Sequence, residues 1–226
     1  MTGGNGQLAT ALRAYYPNAD FLSRESVDVS NAASCRSWFQ SRKYDLIIHA
    51  GAATKHDAHP AELMAVNVIG TGNVLQWARK QNVRFIYTST DYVYPGTGHH
   101  RETDAVQPIN TYAWSKLGGE CVAQTYVNTV IVRGSWYSTL DLKRASTDGY
   151  HSKLPVDKAA GMIAQLSAST YTGICNIGGP RRSLYELVAS EFNPKCHAIL
   201  RKDVQLPYPI PADNSLDCTR FRSWTR

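Results

Sequence analysis

The chain has 226 residues, with 24 Lys and Arg against 18 Asp and Glu, for a formal charge of +6. At 43% hydrophobic and 19% charged residues it has the composition of a folded globular chain, which excludes wholesale disorder. The basic excess is scattered in pairs such as Arg42-Lys43 and Arg181-Arg182, so no nucleic-acid footprint is present, while an anionic small ligand suits it.

No stretch approaches the roughly 18 consecutive apolar residues of a membrane span. Met1-Thr2-Gly3-Gly4-Asn5-Gly6 lacks the basic and apolar regions of a secretory signal. The cysteines (Cys35, Cys121, Cys175, Cys196, Cys218) are widely separated and none lies in a C-x-x-C pair. That spacing argues against a zinc knuckle or a disulfide framework and fits a reduced, cytoplasmic compartment.

In chain order, Gly3-Gly4-Asn5-Gly6-Gln7-Leu8-Ala9 leads into a helical pattern through Leu12 and Tyr16. Small residues at 3, 6 and 9 let a backbone approach a pyrophosphate at a helix start, so Gly3, Asn5, Gly6, Gln7 and Leu8 are candidate cofactor contacts. A plain glycine-rich turn explains the same residues equally well. Only Met1 and Thr2 precede the motif, where a central first strand belongs, so that strand is predicted to be missing or replaced. Ala19–Arg24 is a second strand; Ser23 and Arg24 at its end favour NADP(H), because an arginine there accommodates a 2′-phosphate. Arg24 is also readable as a solvated surface side chain.

Tyr44–Ala50 is a short apolar run, read as a buried parallel strand. A helical pattern over 60–82 follows, then a strand at Val83–Thr88 with Ser89-Thr90-Asp91 leaving its end. After turn signals at Pro95-Gly96 and Gly98 come a helix over 111–126 and a strand at Thr129–Arg133. Strand, helix, strand, helix, strand predicts an α/β fold, a doubly wound, mostly parallel Rossmann-type sheet. Beyond it, 156–167 reads as helix, 173–177 as strand and 184–192 as helix, and Pro207, Pro209 and Pro211 mark an extended surface connection. The expected division is a dinucleotide-binding domain over 1–137 and a small substrate-side region over 138–226, parts of which return to the first.

Tyr112 and Lys116 form Y-x-x-x-K, which on a helix places both side chains on one face, one turn apart. A nearby ammonium lowers a phenol's pKa toward the working range, suiting a general acid, and a hydroxyl from Ser89-Thr90 can polarise the carbonyl it protonates. A surface Tyr–Lys pair has the same spacing. His56 and His59 flank Asp57 without a third ligand of suitable spacing, so no metal is expected. His99-His100 reads as a solvent-facing turn, and Trp136-Tyr137 as core or pocket wall.

These segments together resemble one family. Ser89-Thr-Asp-Tyr-Val-Tyr-Pro-Gly96, Glu102-Thr-Asp104, Pro108-Ile-Asn-Thr-Tyr-Ala-Trp-Ser-Lys-Leu-Gly-Gly-Glu120 and Val132-Arg-Gly-Ser-Trp136 are similar to the dTDP-4-dehydrorhamnose reductases, within the extended short-chain dehydrogenase/reductases. The similarity is dense from about 44 to 137 and patchy after it, where Ser215-Leu-Asp217 resembles a closing element of that family. His49-Ala-Gly-Ala-Ala-Thr54 resembles its Asn-Ala-Ala-Ala segment, and Asn67 its recurrent helix asparagine.

The resemblance implies a reductase of the C4 keto group of a nucleotide-linked 4-keto-6-deoxy sugar, using NADPH, with NADH as the other candidate. In it, Thr90 holds the keto oxygen, Tyr112 donates the proton, and Lys116 holds the nicotinamide ribose. Asp28 and Val29 would lie against the adenine and Ala50, Gly51 and Ala52 along the cofactor. Thr54, Asp91, Tyr92, Val93 and Trp136 would face the substrate. The expected partners are a nucleotide sugar and a second copy of the chain, with no nucleic acid and no membrane. Alternatives are a binding-only relative like the regulatory subunit of methionine adenosyltransferase, or a nucleotide-sugar epimerase. A 4,6-dehydratase fits less well, because Tyr92 stands where those enzymes carry glutamate.

Overall fold

Short apolar runs form the centre of the molecule because each is buried on both faces. β1 (Leu46–His49), β2 (Arg84–Thr88), β3 (Thr129–Arg133) and β8 (Gly173–Asn176) make a four-stranded sheet in that order, every pair parallel. Alternate side chains serve opposite layers. Ile48, Ile86, Val130 and Val132 pack with Leu8 and Leu12 of α1 (Gln7–Leu12) and Ile163 and Leu166 of α6 (Val156–Ala168). Ile47, Phe85, Tyr87 and Ile131 pack against the other layer, with Phe39 of α2 (Ala32–Phe39) and Val74, Leu75 and Trp77 of α4 (Gly70–Gln81). The structure, a computed structural model, describes residues 1–224.

The first strand is reduced to a single bridging residue, Thr2, which occupies its position in the sheet. It forms parallel bridges to Leu22 on one side and His49 on the other. Thr2 N–H donates to Ile48 O at 3.0 Å, and Leu22 N–H to Met1 O at 2.8 Å. Side chains lock the bridge. Thr2 Oγ1 lies 2.7 Å from His49 Nδ1, and His49 Nε2 lies 3.2 Å from Thr71 Oγ1. Thr71 commits its proton to Asn67 O, so His49 is the Nε2–H tautomer and accepts from Thr2 at Nδ1. The sheet therefore runs Leu22, Thr2, β1, β2, β3, β8. The chain starts in the middle, winds outward to Leu22, then crosses to β1, so the direction of winding reverses between Thr2 and β1. Ligands of open α/β sheets bind at such a switch point.

Helix α3 (Pro60–Met64) passes through a π-helical turn at Ala65–Ile69 into α4, and α5 (Thr111–Ala123) packs beside them. The remaining strands are short. β4 (Trp136–Tyr137) pairs with β7 (Leu154–Pro155), β5 (Arg144–Ser146) with β10 (His197–Ile199), and β6 (Tyr150–His151) with β9 (Arg182–Ser183). With α7 (Leu184–Glu191), whose Ser183/Glu186 capping box starts it, they build the end of the molecule above the sheet's C-terminal edge. α8 (Thr219–Trp224) then returns to β8. His100 is buried and stacked on Tyr94 at 4.6 Å, not solvent-facing, because Asn176 binds its carbonyl; His99 alone is exposed.

Candidate active site

The switch point opens into a cleft of two stretches that share Gly3 and Ala52. Gly3 has φ of +74°, and a Cβ there would lie 2.8 Å from the Ala50 carbonyl carbon. Only glycine permits that approach. At Gly6 a Cβ would press on Gly3 O at a tight 3.2 Å, so a side chain there would crowd the turn. The outer stretch, about 150 Å³, is walled by Leu22, Ser23, Arg24, Asp28, Val29 and Gly51 among others. The inner stretch, about 480 Å³, is walled by Gly6, Gln7, Leu8, Ala50, Thr54, Thr88, Ser89, Tyr112, Lys116 and Trp136. Asn5 is exposed and borders neither stretch. A glycine-lined, elongated cleft with a buried ammonium at one end and Arg24 at the other fits an anionic dinucleotide.

Three elements deliver the reactive side chains. β2 ends at Thr88, and Thr90 caps the 3₁₀ turn Asp91–Val93 by accepting Tyr92 N–H at 3.2 Å. α5 starts at the Asn110 cap, whose Oδ1 accepts Ala113 N–H at 2.8 Å, and carries Tyr112 and Lys116 on its cleft face. Ser115 anchors that turn. Its hydroxyl donates to Tyr112 O at 2.7 Å and accepts from Asn67 Nδ2 at 2.8 Å, while Asn67 also exchanges two hydrogen bonds with Ala53. Asn67 sits in the π turn, so the irregular backbone there aims the amide that ties the two walls of the cleft.

The Thr90 hydroxyl donates to Asp91 Oδ1 at 3.3 Å and sits beside the Tyr112 phenol, whose pKa it influences. Burial raises the Tyr112 pKa above the usual phenol value, the Asp91 charge raises it further, and Thr90 offsets this in part. This corrects the expectation that Lys116 lowers it. Lys116 sits with Nζ 4.3 Å from the Tyr87 ring centroid, and burial brings its own pKa down to about 7, against a smaller opposing pull from Glu120. Tyr112 is therefore a protonated phenol throughout the neutral range, the form a proton donor needs.

The proposed substrate-facing residues divide. Thr54 and Trp136 line the inner stretch. Asp91 is buried and its carboxylate is engaged by Ser135 at 2.7 Å and Asn214 at 2.6 Å, so it braces the loop rather than facing a ligand. Val93 is fully buried with Tyr94, Leu216 and Cys218 and belongs to a core cluster. The Tyr92 ring lies tilted beside His56, with ring centroids 5.2 Å apart. Sequence reasoning passed over Glu120 and Arg133, which form a buried pair (Nη2 to Oε2, 2.6 Å; Nε to Oε1, 3.0 Å) that also receives the Ser89 hydroxyl. The signal existed: an arginine in an apolar strand demands a buried partner, and Glu120 follows Lys116 at i+4.

A parallel sheet with its cleft at the switch point, and Tyr112 and Lys116 one helical turn apart in its wall, define a Rossmann-type protein of the short-chain dehydrogenase/reductase kind. The chain belongs to the family described as RmlD substrate binding domain, whose model matches residues 1–142. It is 32% identical over 147 residues to a dTDP-4-dehydrorhamnose reductase of Aggregatibacter actinomycetemcomitans, an alignment covering 60% of this chain and 50% of that one. The chain thus spans about half the length of the curated relatives it matches. A crystal structure of a hypothetical dTDP-4-dehydrorhamnose reductase from Sulfolobus tokodaii superposes with a TM-score of 0.88 at 26% identity, over 98% of this chain and 92% of that one. The Bacillus anthracis dTDP-4-dehydrorhamnose reductase, solved in complex with NADP, shares the fold at a TM-score of 0.88 and 24% identity, covering 98% and 90%. No described helix is long and apolar enough to cross a membrane.

Proposed function

We propose that the chain is an NADPH-dependent reductase of the C4 keto group of a nucleotide-linked 4-keto-6-deoxy sugar, of the dTDP- or UDP-4-dehydrorhamnose type, serving deoxysugar synthesis in the cytoplasm as a homodimer. The observation that carries it is the Tyr112 phenol and the buried Lys116 side by side in the wall of one cleft, with the Thr90 side chain behind the phenol. A reduced nicotinamide bound in the inner stretch supplies the hydride. Thr90 and Tyr112 present two O–H groups to one carbonyl oxygen; Thr90 orients it and Tyr112 gives up its phenolic proton as charge develops there. Lys116 offers an ammonium to a ribose edge and to the phenolate left behind. Gly3, Gly6, Gln7 and Leu8 border the pyrophosphate path, Ala50, Gly51 and Ala52 the opposite wall, and Ser23, Arg24, Asp28 and Val29 the adenosine end. Arg24 pairs loosely with Glu62, at 3.9 Å and largely exposed, so its guanidinium can take a 2′-phosphate. The reductases among the relatives, and the NADP complex, support this reading over a binding-only or epimerase role.

The test is NADPH oxidation with a dTDP- or UDP-linked 4-keto-6-deoxyhexose. Wild type should turn over, faster with NADPH than with NADH. Tyr112→Phe should lose roughly 10²–10⁴-fold in kcat, the worth of a positioned acid, while NADP⁺ still raises its Tm. A wild type that binds NADP⁺ but reduces no such sugar would overturn the assignment.

A further inference from the structure

His56 takes no part in the scheme above, yet its ring packs directly against that of Tyr112. It follows Thr54, a wall residue of the inner stretch, in the segment between β1 and α3. Three rings from three separate elements close around it. Tyr112 of α5 lies 4.5 Å away between centroids, and Tyr92 of the turn after β2 lies at 5.2 Å. Tyr208 stacks on it at 4.7 Å with 18° between planes. Tyr208 belongs to the Pro207–Pro211 segment, which the sequence marks as a mere surface connection. That segment is pinned to the start of α5, because Asn110 Nδ2 donates to Pro209 O at 3.0 Å. The residue that caps the Tyr112 helix thus also holds the ring that covers His56.

Within this aromatic enclosure His56 Nδ1 is buried and has no hydrogen-bond partner. A buried polar atom left unpaired is costly, and a ligand hydroxyl reaching it would remove that cost. Burial, and secondarily the Lys153 ammonium, hold the imidazole below its ordinary pKa against a weaker pull from Asp57, so the ring meets a ligand neutral. We propose that His56 is a specificity-determining residue whose Nδ1 hydrogen-bonds the substrate hydroxyl on the carbon next to the carbonyl that Tyr112 protonates. The site would then select an α-hydroxy ketone sugar over the corresponding deoxy ketone. This rests on the reading of Tyr112 as proton donor.

Two variants separate the nitrogen from the ring. His56→Phe keeps the three ring contacts and removes Nδ1; His56→Asn removes the ring and keeps a polar atom near the Nδ1 position. Each is assayed, with wild type, for kcat/KM on a nucleotide-linked 4-keto-6-deoxyhexose and on its 3-deoxy counterpart, after an NADP⁺ thermal shift has confirmed folding. Wild type should prefer the hydroxylated substrate by roughly tenfold or more, about the worth of one hydrogen bond. His56→Phe should bring the ratio close to one, mostly through KM for the hydroxylated substrate, and His56→Asn should restore part of it. An unchanged ratio in His56→Phe, or equal losses on both substrates, would make His56 a packing residue and overturn the proposal while leaving the reductase assignment standing. A wild type inert on both substrates would overturn that assignment and this proposal with it.

Discussion

Lys116 shows how far burial alters a side chain whose spacing already announces it. The four-residue interval from Tyr112 puts both on one helix face, and the structure agrees. The interval says nothing about depth, and depth reverses the expected electrostatics: the phenol rises and the ammonium falls to about 7. The sign of the stability effect follows. In the unfolded chain Lys116 holds its proton to about pH 10.4; in the folded chain it releases it near 7. Below pH 7 both states are protonated and the full cost of burying the cation is present. Between 7 and 10 the unfolded state binds more protons, so stability rises with pH. Lys116→Met removes the charge and should lose that rise. Its Tm relative to wild type should be highest at pH 6 and fall by a few degrees at pH 9, on the order of 2 kcal/mol. An equal difference at both pH values would mean the ammonium is solvated.

Secondary structure was legible where burial writes a simple pattern. β1, β2, β3 and β8 are apolar runs because both their faces are covered, and α5 and α6 show one-sided periodicity. The second strand reduces to a bridge at Leu22, and α2 buries only Cys35 and Phe39, too little periodicity to read. The proline segment, expected to be extended, bends at Pro207–Tyr208, and its role depends on Asn110, about a hundred residues away in sequence. The Glu120–Arg133 pair ties several elements: it joins α5 to β3, takes the Ser89 hydroxyl after β2, and passes through Tyr94 to Asn176 of β8. Removing one partner leaves a buried, uncompensated charge. Glu120→Gln should therefore cost about 3–5 kcal/mol by urea denaturation. Glu120→Leu combined with Arg133→Met should recover at least half of that, because the desolvation penalty leaves with both ions. If the double variant is no more stable than Glu120→Gln, the network contributes more than its ion pair.

At the scale of the molecule, the segment order in sequence hides how the two halves are laced. β8 pairs with β3 along four register positions, from Val130–Gly173 to Arg133–Asn176, and α6 packs on α1. Near the C-terminus, Asn214 holds Asp91, Asp217 N–H donates to His100 O at 2.8 Å, and Leu216 N–H donates to Ser152 Oγ at 3.2 Å. Residues beyond 138 thus complete the sheet, one helical layer and the brace behind Thr90, as well as the part above the cleft. The 1–137 and 138–226 regions share their core, and we propose that they unfold together. The calorimetric and van't Hoff enthalpies should agree, and far-ultraviolet circular dichroism and tryptophan fluorescence should give one midpoint. NADP⁺ should raise that single midpoint without splitting it, since a ligand of the native state shifts the whole cooperative unit. Two resolved transitions, with NADP⁺ moving only one, would show that the region after 138 is a separate folding unit and that its contacts with β3 and Asp91 are peripheral to stability.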